Sequence, residues 1–445
     1  MMLSQAAQWM QGVLVGDDCE IERVSTDSRA LESGDLFVAL RGEHFDAHDF
    51  LAGAASAGAR AAVTERDTEA FGSYVRVEDT RQALGRLAAG WCDQFSIERV
   101  AITGNAGKTT VKEMVAQMLG DQTHATQGNL NNDIGVPLTL LGVRAEHRYG
   151  VFELGANAPG EIAWTSSLVR PDVALVTNVT GAHLAGFGSL EGIARAKAEI
   201  FSGMRAGGTA VINQDDFFAD FFAHAAAEQG LTVVRVGESE NTDLRALEVE
   251  SRGGETGFVL EPGGIRVRLP LAGRHQVSNA LLALGAVRAL GRDLEDAVAA
   301  LADVPAVAGR MERSYCQGGT LVDDSYNASP GAVEAAVDWL VEQAAPRVLV
   351  LGGLAELGED ADRIHADLGD YARRQGLDAL IVLAGAAEPA ARAFGEGAVQ
   401  VDDTDEAARQ VLPWLQAGAT VLVKGSRSAR MERVTGALQA MGEVH

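Results

Sequence analysis

Through most of the chain, apolar runs of about four or five residues alternate with longer stretches in which apolar positions return every third or fourth residue. Short continuous apolar runs bounded by Gly, Asn and Asp predict buried strands, and the longer period predicts helices packed over them. In the middle of the chain this places strands at 100–103, 149–153, 173–177 and 209–212, and helices at 111–119 and 190–201. The stretch 280–290 is nearly all apolar, which predicts a helix covered on every side. Polar and apolar residues alternate from 232–236 through 265–269, and this predicts an antiparallel extension of the sheet. Strand–helix alternation resumes at 347–351, 379–384 and 420–423, with helices at 332–343, 363–374 and 405–416. Before residue 80 the elements are shorter: strands at 36–40, 61–64 and 74–77 and an Ala/Gly helix at 50–58, followed by a helix at 81–95. Strands alternating with helices predict mostly parallel sheets with helices on both faces.

At 445 residues the chain exceeds what one core supports, and about 150 residues per domain suggests three domains. The predicted class is α/β, with a small N-terminal α/β domain at 1–82, a central mostly parallel sheet domain at 83–309 and a smaller doubly wound domain at 310–445. The excess of 62 acidic over 37 basic residues, a net charge of −25, disfavours nucleic acid and anionic membrane surfaces as partners. An anionic substrate then requires local basic clusters. Cys19, Cys92 and Cys316 are few, distant and odd in number, which argues against a disulfide framework or a zinc site. No apolar run reaches the roughly 18 residues of a membrane span, and the first residues lack a basic-then-apolar leader. These features predict a cytoplasmic protein without membrane insertion.

The chemistry concentrates at the C-terminal ends of the predicted strands, where open parallel sheets bind their ligands. Ile102-Thr-Gly-Asn-Ala-Gly-Lys-Thr-Thr110 joins a strand to a helix. Gly104 and Gly107 allow a tight turn, N–H groups at the helix start favour an anion, Lys108 reaches outer phosphates and the Thr109 hydroxyl suits Mg2+. Only Asn105 and Ala106 separate the glycines, where the full Walker pattern has four residues, so a plain Gly-rich turn with a solvated lysine is the alternative. Glu153 closes an apolar strand, and a buried carboxylate calls for a cation. Oxygen ligands suit Mg2+, with His183, after Thr177-Asn178, as a second metal ligand or simply a polar loop residue. Gly128-Asn-Leu-Asn-Asn-Asp-Ile-Gly-Val-Pro137 is dense in amides, suited to a substrate rich in carboxylates and amides or to an irregular loop. Ser25 to Arg29 reads as turn chemistry or as a small anion or ribose site with Ser28 and Arg29 as donors. A strand at 320–324 ends in two carboxylates, and Lys424-Gly-Ser-Arg-Ser428 is a basic cluster at another strand end, favouring an anion. On composition alone Lys197 is a solvated helix lysine.

In this order along essentially the whole chain, these motifs resemble the Mur ligases of peptidoglycan synthesis. The resemblance is carried by Thr-Asp-Ser-Arg (26–29), Thr-Gly-Asn-Ala-Gly-Lys-Thr-Thr (103–110), the Asn-rich loop (128–137) and Glu-Leu-Gly-Ala-Asn (153–157). Ala-His-Leu (182–184), Ala-Arg-Ala-Lys (194–197), Asp-Asp-Ser-Tyr-Asn-Ala (323–328) and Lys-Gly-Ser-Arg-Ser (424–428) complete it. The Asn-rich loop and the Asp-Ser-Tyr-Asn-Ala stretch are most similar to those of the member that adds D-alanyl-D-alanine to UDP-N-acetylmuramoyl-tripeptide. The resemblance implies a UDP-binding N-terminal domain, a central P-loop-type ATPase domain and a C-terminal Rossmann-like domain in a monomer. It implies ATP, two Mg2+ ions and an acyl-phosphate intermediate. Lys108, His183 and Lys197 would be catalytic, with Lys197 carbamylated, and Thr109, Glu153, His183 and Lys197 would serve metal. Gly104 to Thr110, Asn279, Arg310, Asp324 and Asn327 would bind the nucleotide. Ser28 and Arg29 would bind the uridine-nucleotide end of the substrate, and Asn129, Asn131, Asn132, Asp133, Lys424, Ser426 and Arg427 the peptide and the incoming dipeptide. Departures from the family pattern occur at Asn105-Ala106, Ala158, Gln276, Ser329 and Gly352-Gly353. The alternatives are a related ligase with another acceptor and a nucleotide-binding regulator without catalysis.

Overall fold

The structure is a computed structural model that describes residues 1–442 except 43–44, 181–186, 253 and 306. The described strands form three sheets, of five, nine and six strands, in chain order. In the central sheet Glu98–Thr103 lies between Tyr149–Glu153 and Val173–Val176, parallel to both. Thr123–Ala125 continues the sheet beyond Tyr149–Glu153, and Thr209–Asn213 and Thr232–Gly237 continue it on the other side, all parallel. Because parallel strands share a direction, their C-terminal ends meet along one edge, and every polar strand ending named above from the middle of the chain faces that edge.

The antiparallel extension starts later than the alternation predicts. Thr232–Gly237 is parallel to Thr209–Asn213 and also to the start of Leu244–Arg252. Antiparallel pairing begins only between Leu244–Arg252 and Glu255–Glu261 and continues to Ile265–Leu269. Alternation reports a half-buried strand but carries no information on strand direction, which here is set by the helix Ala219–Glu228 crossing back over the sheet.

Each face of the central sheet carries its own apolar core. On one, Val111, Met114 and Val115 of the helix Lys108–Leu119 pack with Leu281, Leu284 and Val287 of the helix His275–Ala289. The latter helix is apolar on all sides from Ala280 to Val287 because it is wedged between its neighbour helix and the strands. On the other face, Ile162, Ile193, Phe201 and Phe222 cover Ala101, Phe152 and Ala174. The helix Thr80–Cys92 serves two cores: Ala83, Leu84 and Leu87 complete the N-terminal one, and Ala88 and Cys92 the central one. In the third sheet Gly319–Asp324, Thr420–Lys424 and Arg347–Leu351 are adjacent and parallel, with Glu312–Cys316 antiparallel at the edge. The three cysteines are free and buried, and no described helix is long and apolar enough to cross a membrane.

Candidate active site

The strand Glu98–Thr103 and the helix Lys108–Leu119 hold the phosphate cradle between them. Both glycines are required by their surroundings. Gly104 has φ +140°, and a Cβ there would lie 1.9 Å from the Thr177 hydroxyl; Gly107 has φ +80°, and a Cβ would lie 2.5 Å from Asn279 Oδ1. The helix begins at Lys108 without a side-chain cap, so its first N–H groups remain for an anion. Lys108 Nζ folds back onto the loop, donating to the Gly104 carbonyl at 2.9 Å. Burial lowers the Lys108 pKa, against the opposing pull of the Glu153 charge. A phosphate oxygen would take over the carbonyl's place as acceptor and favour the charged form of the amine.

Glu153 is 2% exposed at the end of its strand. One carboxylate oxygen accepts from Thr109 Oγ1 at 2.8 Å and the other from Asn131 Nδ2 at 2.8 Å. Among the described residues no three His, Cys, Asp or Glu side chains converge. A single buried carboxylate beside a hydroxyl and an amide fits Mg2+, which keeps waters and leans on substrate phosphates, and it does not fit a softer metal held by a full protein cage. Lys197 is 1% exposed, on the helix Leu190–Ala198. Desolvation, aided by the nearby Lys108 charge, brings its pKa down to about 7, so near neutrality much of it is a free amine. The solvated-lysine reading of Lys197 is thereby corrected: helical phase turns this residue inward.

The third sheet supplies the opposite wall. The parallel register sets Asp324 beside Lys424, and Lys424 Nζ donates to Asp324 Oδ2 at 2.6 Å and to the Asn327 carbonyl at 3.2 Å. Arg310 Nη2 donates to Thr109 Oγ1 at 2.9 Å, so the start of this domain already touches the cradle. The Arg310 guanidinium lies 4.4 Å from the Tyr326 ring centroid and that of Arg427 lies 5.8 Å from it. Ser426 Oγ donates to the Gly353 carbonyl at 2.6 Å, tying the basic cluster to the neighbouring strand end.

Between these walls lies a cavity of about 1190 Å³, ample for a nucleotide together with the ends of two further substrates. Asn105, Ala106, Gly107, Lys108 and Thr110 of the cradle line it, as do Asn129, Asn131, Asn132, Glu153, Lys197 and Asn279. Arg310, Asp324, Asn327, Lys424, Ser426 and Arg427 line the far wall. Gly104 and Thr109 sit just beneath the surface, in contact with Thr177 and Glu153. Asp133 is not on the wall; it pairs with Arg81 at 3.0 Å. Ser28 and Arg29 lie in the N-terminal domain off this cavity, with Arg29 held by Asp27 at 2.8 Å. His183 lies outside the described residues. The cavity also has lining residues that sequence reasoning did not assign: Thr177, Asn178, His275, Gln276, Tyr326 and the exposed Phe217. The polar end of the strand before Thr177-Asn178 was the available signal for that pair. Tyr326 lies within the Asp-Asp-Ser-Tyr-Asn-Ala stretch and Gln276 at a departure from the family pattern, so each had a local signal; His275 and Phe217 had none.

Comparison with known proteins agrees with this architecture. Residues 20–91 match the model of the Mur ligase family catalytic domain, residues 102–287 the Mur ligase middle domain, and residues 309–427 the Mur ligase glutamate ligase domain. The UDP-N-acetylmuramoyl-tripeptide--D-alanyl-D-alanine ligase of Escherichia coli (strain K12) is 43% identical over 99% of this chain and 98% of its own length. A crystal structure of MurF from Acinetobacter baumannii superposes with a TM-score of 0.92 at 37% identity, covering 98% of both chains. MurF ligase from Thermotoga maritima in complex with ADP superposes at 0.85 and 30% identity, over 95% of this chain and 98% of that one. With a cradle, a buried carboxylate and a buried lysine meeting in one cavity, and with similarity running the whole length of the chain, this protein belongs to the Mur ligase family.

Proposed function

We propose that the chain joins D-alanyl-D-alanine to the terminal carboxylate of UDP-N-acetylmuramoyl-tripeptide at the expense of ATP, in the cytoplasmic stage of cell-wall synthesis. The observation that carries this reading is the meeting of Lys108, Glu153 and Lys197 in one cavity within a chain that matches such ligases end to end. The division into domains at 82/83 and 309/310 assigns one task to each: the first, with Ser28 and Arg29, holds the uridine nucleotide, the second holds ATP, and the third closes the site as part of a monomer.

The chemistry follows from what the residues can do. A carboxylate oxygen of the acceptor attacks the γ-phosphorus, the bond to ADP breaks and an acyl phosphate forms. The dipeptide amine, having lost its proton, then attacks the acyl carbon, and inorganic phosphate leaves. Each step accumulates negative charge on clamped oxygens rather than on an enzyme nucleophile. Lys108 and the helix N–H groups neutralise the transferred phosphoryl, and Arg310 and Lys424 face it from the other domain. Glu153, Thr109 and His183 would hold Mg2+, which supplies charge neutralisation across the phosphates when bound. Lys197, as a free amine near pH 7, can add to CO2, forming an N–C bond with loss of a proton; the carbamate replaces a cation by an anion suited to a second Mg2+. Asn129, Asn131 and Asn132 are placed to bind the peptide end of the acceptor.

Incubated with ATP, Mg2+, the muramoyl tripeptide and D-alanyl-D-alanine, the purified chain is expected to release phosphate only when all four are present. Equal release without the dipeptide would overturn the reading.

A further inference from the structure

The cradle is short and carries two glycines at positive φ, yet it is held from outside at its middle residue, Ala106, whose own side chain can hold nothing. Asn178 grips this residue with both ends of its amide: Oδ1 accepts from Ala106 N–H at 2.9 Å and Nδ2 donates to the Ala106 carbonyl at 3.2 Å. The Thr177 hydroxyl donates to the same carbonyl at 2.6 Å, standing where a side chain on Gly104 would be. The Asn178 carbonyl accepts from Asn105 N–H at 3.1 Å. The grip is itself anchored on the next strand. Asn213 Nδ2 donates to the Thr177 carbonyl at 3.1 Å. Asp216 accepts from Val179 N–H at 2.9 Å and from Phe218 N–H at 2.8 Å.

We propose that Thr177 and Asn178 are positioning residues that hold the phosphate loop in its nucleotide-receiving shape before nucleotide arrives. A free four-residue turn rich in glycine loses much conformational entropy when it closes on phosphates. A loop already fixed at its centre has lost that freedom on folding, so binding is correspondingly tighter. Neither residue need touch the reacting atoms: Thr177 spends its hydroxyl on the loop, and the Asn178 amide is turned onto the loop peptide. The effect falls on nucleotide affinity and leaves the peptide end of the site untouched, because the anchors run into the 213–218 turn and away from Asn129 to Asn132.

This inference rests on the ligase reading, and its test separates the two. Full-length wild type, Asn178→Ala, Thr177→Val and Thr177→Ser are titrated with ADP in Mg2+ and, separately, with the muramoyl tripeptide, and each is melted thermally. Loss of two neutral hydrogen bonds predicts ADP affinity lowered about 10- to 100-fold in Asn178→Ala. Thr177→Val is expected to lose about tenfold and Thr177→Ser, which keeps the hydroxyl, to stay within about threefold of wild type. Tripeptide affinity is expected to hold within about threefold throughout. Should Asn178→Ala fail to fold, the Val and Ser variants at 177 decide by the same criterion. Folded variants that bind ADP like wild type, or that lose tripeptide affinity equally, overturn the positioning role. A wild-type chain that does not bind ADP overturns the ligase reading as well.

Discussion

Lys197→Met is expected to destroy turnover while making the protein harder to melt. The amine is buried beside Lys108, and its pKa falls from 10.5 to about 7. A downward shift means that the folded chain resists the proton the unfolded chain keeps, at about 1.4 kcal/mol for each unit. Between roughly pH 7 and 10.5 the unfolded chain therefore carries more protons, and wild-type stability gains with rising pH across that window. Methionine, of similar length and without charge, removes the penalty. Its advantage is expected to be largest below pH 7, where the lysine is charged in both states, and to fade towards pH 10.5. Differential scanning in CO2-free buffer at pH 7 should show a higher Tm for the variant, by about 2–4 °C for each kcal/mol if the transition is that of a domain of about 150–250 residues. Phosphate release should fall on the order of 10²- to 10³-fold, the cost of removing one preorganised electrostatic group. A lysine kept only for packing would give the opposite pair of results, full turnover and an unchanged or lower Tm.

Glu153→Gln should separate charge from shape. Glutamine fills the same volume: its Oε1 can accept from Thr109, and its Nε2 can donate to Asn131 once that amide turns its oxygen inward, so the strand end keeps its hydrogen bonds. What disappears is the buried negative charge at the entrance to the cradle. Turnover is expected to fall about 10²- to 10³-fold, and the Mg2+ concentration for half-maximal rate to rise at least about tenfold, with the far-ultraviolet dichroism spectrum unchanged. An unaltered Mg2+ requirement would place the metal elsewhere in the cavity. Together the substitutions test two residues of one wall: the fixed charge of Glu153, and the amine of Lys197, whose burial disfavours its cationic form.

The parallel strands of the central and third sheets were legible because doubly covered strands read as unbroken apolar runs, and the helical stretch 280–290 because only Arg288 interrupts its apolar residues. Strand direction was not legible where residues alternate, as at Thr232–Gly237. Within the site, the cradle, Glu153 and the Lys424 cluster could be recognised from local order, since each sits at the end of its own strand. What joins them could not. Lys424 meets Asp324 across 100 residues of sequence, and the grip of Asn178 on Ala106 spans 72. Both depend on which strands become neighbours, a property of the sheet rather than of either segment. Lys197 illustrates a narrower gap: its helix was evident, but composition does not say which side of a helix faces the cavity. The family resemblance corrected that reading before burial gave it a physical cause.

The proposed chemistry, activation of a carboxylate as an acyl phosphate followed by amide formation, fixes the path of one oxygen atom. It is tested most directly by following oxygen. Muramoyl tripeptide labelled with heavy oxygen in its terminal carboxylate is turned over with ATP, Mg2+ and D-alanyl-D-alanine, and the released phosphate is analysed by mass spectrometry. Transfer of one labelled oxygen to each phosphate is the expected result. Phosphate whose added oxygen comes from water instead would contradict that chemistry.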